Sequence, residues 1–139
     1  MKKKIIGYTT GVFDLFHVGH LNIIKNAKSM CDYLIVGVTS DQLCLELKNK
    51  KPVIPFEERA EIIRSLKYVD EVVCQNVVDE IADHQKYGYD IIFKGSDWMN
   101  SEKWRILSKE IEKRGAIVKF FPYTKNTSST IIKKYLMNG

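Results

Sequence analysis

Cysteine, proline and tryptophan are all scarce in this chain: 139 residues hold three, three and two of them. Cys31, Cys44 and Cys74 are scattered, with no CxxC spacing. An odd, dispersed count argues against a disulfide framework or a cysteine-built zinc site and fits a reducing cytoplasm. Buried thiols are expected at Cys31 and Cys74. The sequence has no apolar run long enough to span a bilayer. The opening, MKKKIIGYTTGVF, starts with the charge of a signal peptide, but its apolar stretch is too short and too polar to be one. Internal repeats and low-complexity segments are missing too. The net charge is +5. Its basic residues are interleaved with acids, and no basic helix face carries interspersed aromatics. Nucleic acid and membrane insertion are therefore not expected, and small phosphorylated ligands suit the basic balance better.

What is present is a regular alternation. Short, β-branched apolar runs occur at 5–10, 33–39, 71–74, 90–95 and 116–121. Near-continuous runs of this kind fit strands buried on both faces. Helical patterns lie between and after them, at 21–30, 55–66, 79–88, 101–115 and 128–137. Pro55 suits a first helical turn, Gly88 a helix stop and Ser101 an N-cap. The pattern predicts a single α/β domain over 1–139: a doubly wound, Rossmann-like, five-stranded parallel sheet with helices on both faces. Such sheets bind ligands beyond the carboxyl ends of their strands, where strand order reverses. The segments to inspect are 11–20, 40–51, 95–98 and 122–130.

After the first strand comes GVFDLFHVGH (11–20). Gly11 admits a close backbone approach. His17 and His20 fall at a loop-to-helix junction, on one side of a helical turn, with Gly19 between them. Free amides at a helix N-terminus favour an anion, and histidines add donors to phosphate oxygens. A metal held by the pair lacks a third ligand at a typical spacing and ranks below phosphate. Asp14 suits a structural role, bonding loop amides or a histidine. Lys48 and Lys50, in KNKK (48–51), occupy the stretch read as a loop after the second strand; on an extended segment both would point to one side. Arg59 could reach a phosphate bidentately or form an exposed helix ion pair. Gly95, Asp97 and Trp98 follow the fourth strand, where Asp97 could bind ribose hydroxyls or base donors, and Trp98 is either a ligand contact or core packing. Ser128, Ser129 and Thr130 open the last helix and offer a second anion site.

These segments resemble, in order, the signatures of the cytidylyltransferases within the HxGH nucleotidyltransferase superfamily. GVFDLFHVGH is similar to G-x-F-D-x-x-H-x-G-H, KNKK to the lysine pair after strand two, and EER (57–59) to E-x-R. KGSDW (94–98) resembles G-D-D-W, and YTKNTSST (123–130) resembles R-T-x-G-I-S-T-T. The similarity covers nearly the whole chain and is closest to bacterial glycerol-3-phosphate cytidylyltransferases. It implies transfer of CMP from CTP to a small phosphorylated alcohol, glycerol 3-phosphate first, with release of pyrophosphate. It implies His17, His20, Lys50 and Ser128 as catalytic residues. Gly11, Val12, Phe13, Gly19, Gly95, Asp97, Trp98, Thr124, Ser129 and Thr130 would bind the nucleotide, and Lys48 and Arg59 the acceptor. Mg2+ would arrive with the triphosphate and not on a protein site. A cytoplasmic homodimer serving envelope or capsule polymer synthesis is the implied setting.

An acceptor phosphate is already a nucleophile near neutral pH, so alignment and charge stabilisation carry such a reaction, and no general base is needed. Three features depart from the pattern. Tyr123 stands where the motif has arginine, with Lys125 as a displaced substitute, and Asn126 stands for its glycine. Segment 75–84 carries Asp79, Glu80 and Asp83 in place of lysines and a tryptophan, which would suit a cationic acceptor such as phosphoethanolamine or phosphocholine. The rival readings are an adenylyltransferase on the same scaffold, for instance on a sugar phosphate or flavin mononucleotide, and a nucleotide-binding module without turnover.

Overall fold

In the computed structural model, residues 4–122 are described, apart from the side chain of Asp97. The strands are β1 (Ile6–Gly11), β2 (Tyr33–Thr39), β3 (Glu71–Gln75), β4 (Ile91–Gly95) and β5 (Ile117–Phe121). The helices are α1 (Val18–Ser29), α2 (Asp41–Lys48), α3 (Phe56–Arg64), α4 (Glu80–Tyr87) and α5 (Glu102–Lys113), with a 3-10 turn at Ser96–Trp98. All strand pairs are parallel, in the order β3-β2-β1-β4-β5. This is the expected doubly wound α/β sheet. Its strand order reverses between β1 and β4, so the segments after those two strands face one crevice.

Alternation along the strands builds two cores. Leu34, Val36, Val38, Ile91 and Phe93 point to one face and pack with Ile24 and Ala27 of α1 and Ile63 of α3. Tyr8, Ile35 and Ile92 point to the other and pack with Trp104 and Ile111 of α5, with Ile81 and Tyr87 of α4 alongside. Apolar positions on both faces explain why the runs read as continuous. Each strand begins within a residue or two of where its run does.

Two local expectations are corrected. Residues 40–51 are not a loop throughout: Ser40 caps α2, its Oγ accepting from Leu43 N at 3.0 Å, the helix takes in Lys48, and only 49–51, with Asn49 at φ 60°, form the loop expected there. The signal was there: a Ser-Asp start with Leu43 and Leu47 one turn apart. Cys74 is exposed and Cys31 half-buried, whereas Cys44 is the buried thiol. The helix expected at 128–137 lies outside the described residues, as do Tyr123, Thr124, Lys125, Asn126, Ser128, Ser129 and Thr130.

Candidate active site

His17 is the N-cap of α1. Its Nδ1 accepts from Gly19 N at 3.0 Å, and Nδ1 of His20 accepts from His17 N at 3.3 Å. The two imidazoles thus form a reciprocal capping box, a role usually taken by Ser or Thr with Glu or Gln. The rings stack with centroids 3.9 Å apart, and His20 also meets the rings of Phe13 and Phe16 at 5.5 Å. An Nδ1 that accepts carries no proton, so in the neutral rings the proton sits on Nε2. Two N–H donors therefore stand side by side at the positive end of a helix. Burial lowers the pKa of both rings, and for His20 repulsion by charge on His17 and Lys48, against the opposing pull of Asp14, adds to it and brings the ring down to about 4. Neutral rings donate without the desolvation cost of a buried imidazolium. Lys48, the last residue of α2, is close enough for its charge to help lower the pKa of His20. Lys50 follows Asn49, whose left-handed backbone breaks the extended geometry expected for the two lysines.

The loop leading into α1 is braced from three sides. The Asp14 carboxylate accepts from Val53 N at 2.8 Å and Ile54 N at 2.9 Å, the structural role expected of it. Phe13 and Leu15 adopt φ of 55° and 51°, a strained conformation for side chains of this size. The room at Gly11 is taken by Phe13: a Cβ on Gly11 would lie 2.9 Å from Phe13 Cζ. The missing side chain at Gly11 thus makes room for the Phe13 ring.

Arg59 is the main correction. It is 1% exposed and forms neither an exposed ion pair nor an open cation. Its Nε donates to Ile54 O at 2.7 Å, its Nη1 to Val12 O at 2.7 Å and Thr39 O at 2.8 Å, and its Nη2 to Asp41 Oδ1 at 2.6 Å. One guanidinium ties together the ends of β1 and β2, the start of α2 and the segment before α3. Its fork is spent on the scaffold, so Arg59 positions the loops around the crevice and does not reach an acceptor. Nothing in the spacing of EER announces this, since only the topology brings the two carbonyls together.

Across the crevice, Gly95 leads into the 3-10 turn, which carries Asp97 in its backbone and Trp98 at its end. Trp98 is 45% exposed, so its indole is at the surface and not in the core. Sequence reasoning passed over Lys94. Its Nζ lies 5.3 Å from the Trp98 ring centre and 5.4 Å from that of Trp104. The signal available was a lysine ending an otherwise apolar strand, IIFKG. Among the described residues, no group of three His, Cys, Asp or Glu is placed to hold a metal, and no helix is long and apolar enough to cross a membrane.

Comparison with known proteins agrees with this geometry. Residues 8–135 match the family model described as Cytidylyltransferase-like. The chain is 38% identical over 133 residues to a glycerol-3-phosphate cytidylyltransferase of Bacillus spizizenii, covering 95% of each. It is also 38% identical over 118 residues to an FAD synthase of Thermococcus kodakarensis, covering 82% of this chain and 76% of that one. Among solved structures, a lipopolysaccharide core biosynthesis protein from Thermoplasma volcanium superposes with a TM-score of 0.73 at 30% identity, over 90% of this chain and 100% of the other.

Proposed function

From the premise that this chain belongs to the cytidylyltransferase-like family and is a nucleotidyltransferase, we propose that it transfers CMP from CTP to glycerol 3-phosphate, giving CDP-glycerol and pyrophosphate. The observation that carries the reading is the reciprocal cap of His17 and His20, which fixes both proton-bearing Nε2 atoms at the N-terminus of α1. The acceptor phosphate oxygen attacks the α-phosphorus of the nucleotide, and the bond to the β-phosphate oxygen breaks in line. The charge of Lys48 reaches His20, so Lys48 is proposed on the triphosphate with Lys50, in place of the acceptor role the resemblance implies; with His17 and His20 they would neutralise charge on the departing pyrophosphate. Ser128 is proposed to join them from the C-terminal segment, with Thr124, Ser129 and Thr130 lining the nucleotide. Val12, Gly19, Gly95, Asp97 and Trp98 are proposed to bind the nucleotide. Mg2+ enters with the triphosphate and supplies charge neutralisation there. The acceptor is supported by similarity over 95% of the chain to the Bacillus enzymes, and the setting proposed is a cytoplasmic homodimer in envelope polymer synthesis.

Pyrophosphate release with CTP and Mg2+ tests this, against a panel of glycerol 3-phosphate, phosphoethanolamine, phosphocholine, sugar phosphates and flavin mononucleotide. Release with glycerol 3-phosphate alone is the expected result. Release with another acceptor keeps the chemistry and moves the substrate. Release with ATP in place of CTP would favour adenylyl transfer, the direction in which the FAD synthase relative points.

A further inference from the structure

We infer that Lys94, held between Trp98 and Trp104, is the cation that binds the phosphate of the acceptor and so sets acceptor affinity. The inference rests on the transfer reaction proposed above. Lys94 is the penultimate residue of β4, paired with Phe120, and its side chain leaves the sheet on the same face as Ile92. Its Nζ sits over both indoles, at 5.3 and 5.4 Å from their centres. Aromatic faces attract a cation but do not neutralise it. Among the described residues Lys94 has no carboxylate within ion-pair distance, and burial pushes its pKa down. Among the described residues, then, the partners of this part-buried ammonium are two indoles and no anion.

The reaction geometry says which anion belongs there. In-line transfer requires nucleophile and leaving group on opposite sides of the α-phosphorus. The histidine pair caps α1, which packs on one face of the sheet. Lys94 lies on the opposite face, beside α4 and α5, at the strand that borders the switch point. A triphosphate held by the histidines leaves the acceptor to approach from the Lys94 side. Lys94 also supplies the charge that segment 75–84 lacks. Its acids Asp79, Glu80 and Asp83 cannot bind a phosphate, and Glu80 is the acid whose charge reaches Lys94.

The test uses the full chain and the fluorescence of its two tryptophans, which flank Lys94. Wild type and Lys94→Met, which keeps an apolar stem between the indoles, are titrated with glycerol 3-phosphate and with inorganic phosphate in the presence of saturating CTP and no Mg2+. The expected result is a saturable change with both ligands in wild type and an affinity at least tenfold weaker in K94M. CTP binding and thermal midpoint should be alike in the two proteins. In turnover, K94M should raise KM for the acceptor and leave KM for CTP in place. Equal phosphate affinity in both proteins, or no saturable change in wild type, overturns the Lys94 assignment. Failure of CTP to bind wild type even when Mg2+ is supplied would instead overturn cytidylyl transfer, and the inorganic phosphate titration would still decide Lys94.

Discussion

Arg59 Nη1 donates to the carbonyl of Val12 at 2.7 Å, although 47 residues separate the two in sequence. That single bond fastens the loop after β1, where the histidines begin, to a guanidinium rooted in α3. Removing the guanidinium leaves the carbonyls of Val12, Thr39 and Ile54 without their donor and Asp41 without its counter-charge. Arg59→Met should therefore cost about 3–5 kcal/mol in chemical denaturation. Arg59→Lys should not restore it, because an ammonium cannot reproduce a fork that serves four acceptors on different elements. Near-native stability with lost turnover in either variant would return Arg59 to the substrate.

This residue also shows how far the sequence can be read. The strands, their parallel order and the position of the histidine pair were legible because each depends on local pattern: β-branched runs, caps, and a helix start after β1. The role of Arg59 was not, because it depends on carbonyls brought together by the pairing of β1 with β2 and on a guanidinium delivered to them by the crossover between β2 and β3. Helix α2 was missed for a different reason: eight residues, four of them polar or charged, give a weak periodic signal, and KNKK suggested a loop. Lys94 was overlooked because an ammonium between two indoles exists only once α5 is packed against β4.

His17 has two separable jobs, capping α1 through Nδ1 and donating from Nε2. Alanine removes both, and His17→Ala should lower turnover at least about a hundredfold and cost about 1 kcal/mol of stability. Asparagine keeps a cap acceptor without reproducing the imidazole Nε2 donor. His17→Asn should thus melt close to wild type and remain as inactive as alanine in the pyrophosphate assay. Recovery of turnover in H17N would mean that the cap, and not the donor, is what the reaction needs.

His20 makes stability depend on pH with a definite sign. Its pKa is about 4 in the folded protein, below the 6.5 of an unperturbed ring, so the unfolded chain binds the proton first. The stability it contributes is complete above about pH 6.5 and is lost as pH falls toward about 4. Between about pH 7 and about pH 5 the loss from this ring should be on the order of 1–2 kcal/mol. Asp83, whose pKa is raised chiefly by burial, acts in the opposite direction, so the comparison must be with His20→Gln. That variant should show the flatter profile over this range. An NMR titration should find the His20 ring still neutral at about pH 5, and in Lys48→Gln its midpoint should move upward. A midpoint near 6.5 in wild type would mean that the ring is not packed as described.

Gly11 and Phe13 provide the sharpest check on what the loop is built for. A methyl group at Gly11 would press on the Phe13 ring at 2.9 to 3.0 Å, and that ring in turn meets His20 edge-on at 5.5 Å. Gly11→Ala should therefore destabilise by about 1–3 kcal/mol through overpacking. It should also lower turnover by displacing His20. Phe13→Ala should cost about 3–5 kcal/mol by opening a cavity in a buried site. The two costs should not add. With the ring gone the new methyl has space, so Gly11→Ala in the F13A background should be nearly neutral, a coupling of about 1 kcal/mol or more. If the costs add instead, the clearance at Gly11 does not belong to Phe13. A nucleotide approaching the β1 terminus would then be the better reason for a glycine there, and CTP affinity of G11A would measure it.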